Sequence, residues 1–185
     1  MNYEDIKTKE QLSEWMDKIT YGYKGKTKYH TYEENDFNDV WYNEYLLSEP
    51  NDVIKSKIGN CWDQTELERY WFKSKNYEIK TLYEMVKLPY ENPYPTHTFL
   101  VFKDNNKWYW FENADFQNRG IHEFNTIDDL INYQQEKYIE LLKTFSIKDE
   151  ELKNIILKEY EKPKSNISAK EFIEHVINSK DYKGE

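Results

Sequence analysis

A β-hairpin in the middle of the chain limits its possible folds more than any other segment does. Residues 96–102, THTFLVF, are apolar on both faces beyond His97, which is typical of a strand covered on two sides. Residues 107–111, KWYWF, follow after the polar turn residues 104–106, DNN, and this pattern predicts an antiparallel partner strand. We therefore expect an antiparallel sheet with other elements packed on both of its faces.

The register of this hairpin decides which side chain lies beside His97. A three-residue loop would place Asn113 directly opposite His97 and Asp115 diagonal to it, whereas a two-residue turn would make Glu112 the diagonal neighbour. Two adjacent asparagines favour the two-residue turn because both tolerate positive φ. A carboxylate also stabilises an imidazolium better than an amide does. The prediction is Glu112, with Asn113 and Asp115 as the alternatives.

The only cysteine lies at the start of a predicted helix, in residues 59–73, GNCWDQTELERYWFK. Gly59 and Asn60 are turn formers, and the residues after them are acidic at first and basic near the end, as in a helix that begins there. Cys61 would then lie in the first turn, where free N–H groups and the helix dipole favour a thiolate over a thiol. The competing interpretation is that Cys61 is an inert small residue of the core.

The remaining segments predict an α+β fold in two parts. Periodic apolar residues, caps and turn residues predict the following elements: a helix over 8–19, a long surface loop over about 21–44, a helix from Pro50 to Ile58, a strand within 77–86, an irregular Pro-rich loop over 88–95, a short strand over 121–124, and three C-terminal helices, from Thr126 to about Leu142, from about Asp149 to before Pro163, and after Ser168. We expect residues 1–125 to form an α+β core and residues 126–185 a helical C-terminal extension, packed on or beside it as an appendage or a partner-binding element.

Composition argues against several classes of function. The net charge of −9 and the presence of only two arginines argue against nucleic acid as the partner. The apolar runs are too short to cross a bilayer, so no membrane association is expected. One cysteine and four scattered histidines show no metal-ligand spacing, and five glycines form no phosphate-binding loop, so we expect neither metal nor cofactor. A lone cysteine and a charged start without an apolar segment predict a cytoplasmic protein.

His97 is the best placed of the four histidines to act with Cys61. It opens a buried strand directly after the Pro-rich loop, so its ring can lie at the edge of a cleft while its backbone is held rigid. We expect His30, His122 and His175 to be surface or packing residues. A cysteine that attacks an acyl group needs a base near it and a polar group that orients that base, and Cys61, His97 and Glu112 could supply these three roles.

Three short motifs in this order resemble the transglutaminase-like superfamily. Residues 59–62, GNCW, are similar to its G-x-C-W signature at a helix start, and His97 opens a strand 36 residues after Cys61. The returning strand, WYWFENAD over 108–115, resembles the third motif, although the superfamily usually has Asp where this chain offers Glu112 or Asn113. The resemblance implies a papain-like core with the cysteine helix packed on an antiparallel sheet, and acyl transfer through a thioester.

The resulting hypothesis is a cysteine-dependent enzyme, a peptidase or amidase or a transglutaminase-like transferase, that acts on a peptide or amide substrate. Cys61 would be the nucleophile, His97 the base and then the acid, and Glu112 the orienting group. Trp41 and Tyr94 lie in loops that we expect to line the cleft. The alternative is a catalytically inactive, transglutaminase-like module that binds a protein partner, with the C-terminal helices as a further partner surface.

Overall fold

The computed structural model describes residues 1–87, 95–145 and 147–184. Within these ranges the chain forms a 3-10 turn at Tyr3–Asp5 and seven α-helices: α1 (Lys9–Met16), α2 (Phe37–Glu44), α3 (Pro50–Ser56), α4 (Cys61–Ser74), α5 (Ile127–Thr144), α6 (Asp149–Leu152) and α7 (Ala169–Ile177). The Pro-rich loop predicted over 88–95, with Tyr94, lies outside the described residues except for Pro95.

Nine strands in the described ranges form two antiparallel sheets, so the fold class is α+β as predicted. The strands are β1 (Gly22–Gly25), β2 (Tyr29–Thr31), β3 (Tyr45–Leu46), β4 (Glu78–Val86), β5 (Thr96–Asp104), β6 (Lys107–Glu112), β7 (Gly120–Phe124), β8 (Ile155–Glu159) and β9 (Lys180–Asp181). The small sheet has the order β2-β1-β3, and the large sheet has the order β7-β6-β5-β4-β8-β9. The predicted strands over 77–86, 96–102, 107–111 and 121–124 are confirmed as β4 to β7.

The hairpin between β5 and β6 closes with the two-residue turn. Asp104 pairs with Lys107, and the residues between them, Asn105 and Asn106, have φ values of 49° and 62°. Asparagine tolerates this left-handed region because its short side chain can hydrogen-bond to the local backbone. The turn fixes the register in which Leu100 pairs with Phe111, and it places Glu112 diagonal to His97.

Helices cover both faces of the large sheet. On one face, α4 packs on β5, with Thr65 Oγ1 donating to Thr98 Oγ1 at 3.1 Å and the Phe72 ring stacked 4.6 Å from that of Phe102. On the other face, α5 packs against Phe99 and its neighbours through Leu130. Apolar residues on both faces of β5 are therefore buried, as its sequence predicts.

The long loop predicted over 21–44 is wrong. This segment contains β1, β2 and α2, and its strands form the small sheet with β3. The Tyr23 ring stacks on that of His30 with 4.8 Å between their centroids, and both side chains are buried. Strands of three and four residues are too short to show a sequence period, and their pairing with each other holds them instead.

The second C-terminal helix is also wrong. Only Asp149–Leu152 is helical, and Ile155–Glu159 forms β8, which pairs with β4 so that Leu157 lies opposite Glu84. Two adjacent β-branched residues, Ile155 and Ile156, favour a strand once an open sheet edge is available. Residues 126–185 are therefore not a wholly helical extension, because β8 and β9 complete the large sheet. The other two predicted helices are confirmed as α5 and α7.

Among the described residues, no helix combines the length and the apolar character that crossing a bilayer requires.

Candidate active site

Cys61 is the first residue of α4, and its position is set by a reciprocal cap. Asn60 Oδ1 accepts hydrogen bonds from the backbone N–H groups of Trp62 (3.0 Å) and Asp63 (3.2 Å). Asp63 Oδ2 in turn accepts from the Asn60 N–H at 3.2 Å. This capping box fixes where the helix begins. Cys61 therefore lies at the positive end of the helix dipole.

A buried carboxyl group joins the start of α4 to the segment that follows β3. Asp63 Oδ1 accepts from the Tyr45 hydroxyl at 3.0 Å and from the Ser48 N–H at 2.8 Å. Burial raises the pKa of Asp63 to about 6, although these hydrogen bonds act in the opposite direction. The residues on either side of Cys61 in the first turn of α4 are thus tied to each other and to the segment around Tyr45 and Ser48.

His97 lies at the second position of β5 and is hydrogen-bonded to Glu112. Its Nε2 lies 2.9 Å from Glu112 Oε2, and Glu112 Oε1 accepts from the Asp115 N–H at 2.8 Å. Burial lowers the pKa of His97, but the Glu112 carboxylate and the neighbouring Cys61 thiol raise it, and the net result lies well above the ordinary value. The structure thus favours a protonated imidazole in a buried ion pair.

The two alternative third residues make other contacts. Asn113 Nδ2 donates to the Met16 carbonyl at 3.1 Å and to Gln64 Oε1 at 2.7 Å, which ties β6 to α1 and α4. The Asp115 carboxylate accepts from the Gln117 N–H at 3.1 Å and from Asn118 Nδ2 at 2.7 Å within its own loop. Of the three candidates, Glu112 is the one hydrogen-bonded to His97.

The α4 helix and the first residues of β5 bring Cys61 and His97 together. Cys61 Sγ lies 4.0 Å from the Thr96 carbonyl oxygen, the residue before His97, and the Trp62 indole N–H donates to Thr96 Oγ1 at 3.2 Å. Because Glu112 occupies Nε2 of the His97 ring, Nδ1 is the nitrogen that remains for the thiol. The arrangement thus brings a thiol, an imidazole and a carboxylate together.

Cys61 and His97 both line an open cleft of about 480 Å³. Its other walls are mainly aromatic and aliphatic: Tyr21, Tyr32, Phe37, Phe116, Leu141 and Phe145. Cys61 also borders a smaller pocket of about 40 Å³, whose lining includes Trp41, one of the residues predicted to line the cleft. The walls around Cys61 and His97 are therefore mainly apolar.

Two acidic residues and an amide near His97 were missed from the sequence. Glu84 lies directly opposite His97 in β4 and is fully buried, with Gln134 of α5 hydrogen-bonded to it. Burial raises the pKa of Glu84 to about 8, and it raises the pKa of Glu68, a buried residue of α4, well above its ordinary value. The sequence signal that could have revealed Glu84 is the presence of one acidic residue within the otherwise apolar run 82–86, LYEMV.

The other histidines are engaged elsewhere. His30 Nδ1 lies 2.9 Å from Glu34 Oε2, and the Nε2 atoms of His122 and His175 contact the carbonyl oxygens of Asn118 and Glu161. In the described part of the chain, no three histidine, cysteine or acidic side chains are arranged to hold a metal ion.

Comparison of the chain with family models, with curated proteins and with solved structures finds no match. Function is therefore inferred from the site itself.

Proposed function

We propose that the protein is a cysteine-dependent acyl-transfer enzyme of the transglutaminase-like type, with a papain-like core, which acts on a peptide or amide substrate. The observation that carries this proposal is that Cys61, at the first position of α4, lines the same cleft as His97, which is hydrogen-bonded to Glu112. A cytoplasmic location accords with a single free cysteine.

The reaction would proceed through a thioester. The Cys61 thiolate attacks the acyl carbon, the C–N bond of the tetrahedral intermediate breaks, and the His97 imidazolium gives its proton to the departing amine. Water or a second amine then attacks the thioester, and neutral His97 takes the proton of the attacking group and becomes imidazolium again. The C–S bond breaks, and Cys61 leaves as the thiolate. Glu112 stabilises the imidazolium and fixes the orientation of its ring throughout.

The negative charge of the tetrahedral intermediate needs a donor close to Cys61. The backbone N–H of Cys61 belongs to the first helical turn, where N–H groups have no intrahelical acceptor. It can donate to the oxyanion, and the helix dipole favours the same charge.

The test is acylation of Cys61 by an activated aromatic ester, followed by intact-mass spectrometry. Wild-type protein should gain one acyl group on Cys61 and then lose it to water, and Cys61→Ala should gain none there. His97→Ala should acylate about 100-fold or more slowly, because a positioned base contributes about 10²- to 10⁴-fold. His175→Ala is the control, since His175 contacts the Glu161 carbonyl, and it should react like wild type. Equal rates in wild type and His97→Ala would contradict the proposal.

The exposed rings around the cleft favour the second candidate, a binding module without turnover. Tyr32 and Phe116 are each 54% exposed, and Phe116 stacks with Arg119, whose guanidinium carbon lies 4.2 Å from its ring centroid. Aromatic residues of this kind often anchor peptide partners. A binding module would hold a peptide equally well in wild type and Cys61→Ala, and it would show no acylation that depends on His97.

A further inference from the structure

Glu84 faces the candidate site from the neighbouring strand. Its Cα is paired with that of His97 across β4 and β5, and residues directly opposite each other in an antiparallel pair project to the same face. Glu84 is fully buried, and its Oε1 accepts a hydrogen bond from Gln134 Nε2 on α5. A carboxyl group that does not belong to the Cys61, His97 and Glu112 set therefore lies beside the imidazole.

Two oxygen atoms of the Glu84 and Gln134 pair lack partners. Among the described residues, Glu84 Oε2 and Gln134 Oε1 are both buried and neither accepts a hydrogen bond. Neither a carboxylate oxygen nor an amide oxygen carries a proton. If Glu84 were ionised, Glu84 Oε2 and Gln134 Oε1 would therefore both remain without a hydrogen bond. Each unpaired buried group is costly. A protonated Glu84 can donate from Oε2 to Gln134 Oε1 and thus complete a two-bond acid–amide pair.

We propose that Glu84 is a positioning residue of the site, held as an uncharged carboxylic acid that donates its proton to Gln134 Oε1, so that Glu112 is the single carboxylate counter-ion of His97. The role at His97 rests on the proposed function, whereas the protonation state of Glu84 does not.

The surroundings of Glu84 accord with an uncharged acid. The groups that act on it electrostatically are His97, Glu112 and the Tyr138 hydroxyl of α5, and its partner in β8 is the apolar Leu157. Burial raises the pKa of Glu84 to about 8 even though the His97 charge opposes this. One carboxylate on the imidazolium fixes the ring, while a second would hold its proton more tightly and weaken His97 as an acid.

The test compares wild-type protein with Glu84→Gln by infrared difference spectroscopy at pH 7. A glutamine at this position can donate to Gln134 Oε1 and accept from Gln134 Nε2, so the variant reproduces both bonds of the uncharged acid and should fold. The wild-type spectrum should contain a protonated-carboxyl carbonyl band that the variant lacks. Glu123→Gln is the control, because Glu123 is exposed and Lys107 lowers its pKa, so loss of the Glu123 carboxyl group should not change that band.

Two further measurements address stability and the role at His97. The folded state retains a proton that the unfolded state releases near pH 4.5, so the stability of Glu84→Gln relative to wild type should grow from pH 5 to pH 8. Wild-type Glu84 loses its own proton only near pH 8, and the carboxylate formed there would hold the imidazolium proton of His97 more tightly. In NMR titrations that extend above pH 8, His97 should therefore lose its proton at a lower pH in Glu84→Gln, where no such carboxylate forms.

Absence of the band, or a stability difference that is constant with pH, would overturn the uncharged acid. An unchanged His97 titration would overturn the positioning role alone. Failure of Cys61 acylation would instead refute the proposed function and leave the Glu84 result standing.

Discussion

At the scale of single residues, the protonation of His97 depends on two opposed effects. Burial favours the neutral imidazole, whereas the Glu112 carboxylate at 2.9 Å favours the imidazolium, and the carboxylate prevails. A buried pair of this kind costs desolvation energy, but removal of one partner costs about 3–5 kcal/mol because an uncompensated charge remains. The Glu112 carboxylate is thus required to keep His97 in the imidazolium form.

Glu112→Gln should lower the pKa of His97. The variant lacks the carboxylate whose negative charge stabilises the imidazolium, and a neutral amide stabilises that charge less. The raised pKa of wild-type His97 stabilises the fold below about pH 6.5, and this contribution is lost as the pH rises through the folded value. In Glu112→Gln, this stabilisation of the fold by protonated His97 should be smaller. NMR titration of the imidazole measures the change.

Asp115→Asn is the matched control for Glu112→Gln. The Asp115 carboxylate binds Gln117 and Asn118 in its own loop, while its backbone N–H donates to Glu112 and is retained in the variant. The titration of His97 should therefore be that of wild type. A larger effect of Asp115→Asn than of Glu112→Gln would contradict the assignment of the orienting residue.

At the scale of secondary-structure elements, the start of α4 is the most heavily connected helix end at the site. Asp63 joins the Asn60 cap to Tyr45 and Ser48, so one side chain holds the helix, the small sheet and the segment before α3 together. The position of Cys61 at the start of the helix depends on this junction.

Asp63→Ala should therefore lower the free energy of unfolding and leave the position of Cys61 less well fixed. The Asn60 N–H, the Ser48 N–H and the Tyr45 hydroxyl would lose their acceptor, and each buried donor left unpaired costs about 1–3 kcal/mol, so we expect a loss of at least about 2 kcal/mol. Denaturant unfolding measures it. Ser168→Ala removes the exposed cap of α7, where Ser168 Oγ accepts from the Glu171 N–H, and should cost only about 1 kcal/mol. Equal losses would contradict the role of Asp63.

Local signals in the sequence account for the elements that were predicted. The Asn105-Asn106 turn, the Asn60 cap and the Thr126 cap are each decided within a few residues, and the hairpin register then leads from His97 to Glu112. The small sheet and β8 depend on strand pairing with distant segments, which no local pattern reports. Glu84 and Gln134 were missed for the same reason, since their meeting requires the pairing of β4 with β5 and the docking of α5.

At the scale of the whole molecule, the C-terminal helix α7 supports the helix that carries Cys61. The Phe172 ring of α7 stacks on Trp62 with 4.2 Å between the centroids, and both side chains are buried. Trp62 directly follows Cys61 and donates to Thr96 beside His97. The C-terminal residues thus contribute to the core at the site, as well as to the large sheet through β8.

Phe172→Ala should destabilise the whole chain by about 3–5 kcal/mol, because it removes a buried aromatic ring and leaves a cavity beside Trp62. Thermal or denaturant unfolding measures the loss. Ile177→Ala changes a 40% exposed residue of the same helix and should alter stability by about 0.5 kcal/mol or less. A small effect of Phe172→Ala would mean that α7 is not part of the core around Cys61.

The reactivity of Cys61 toward iodoacetamide as a function of pH, in wild type and in His97→Ala, tests the pairing of Cys61 with His97 most directly. If Cys61 and His97 form a thiolate–imidazolium pair, alkylation should be fast near pH 6, where an ordinary thiol with a pKa of about 8.5 is almost unreactive. That reactivity should be lost in His97→Ala. Slow alkylation at neutral pH, with the same pH dependence in both proteins, would contradict the pairing and leave a binding module as the function of the cleft.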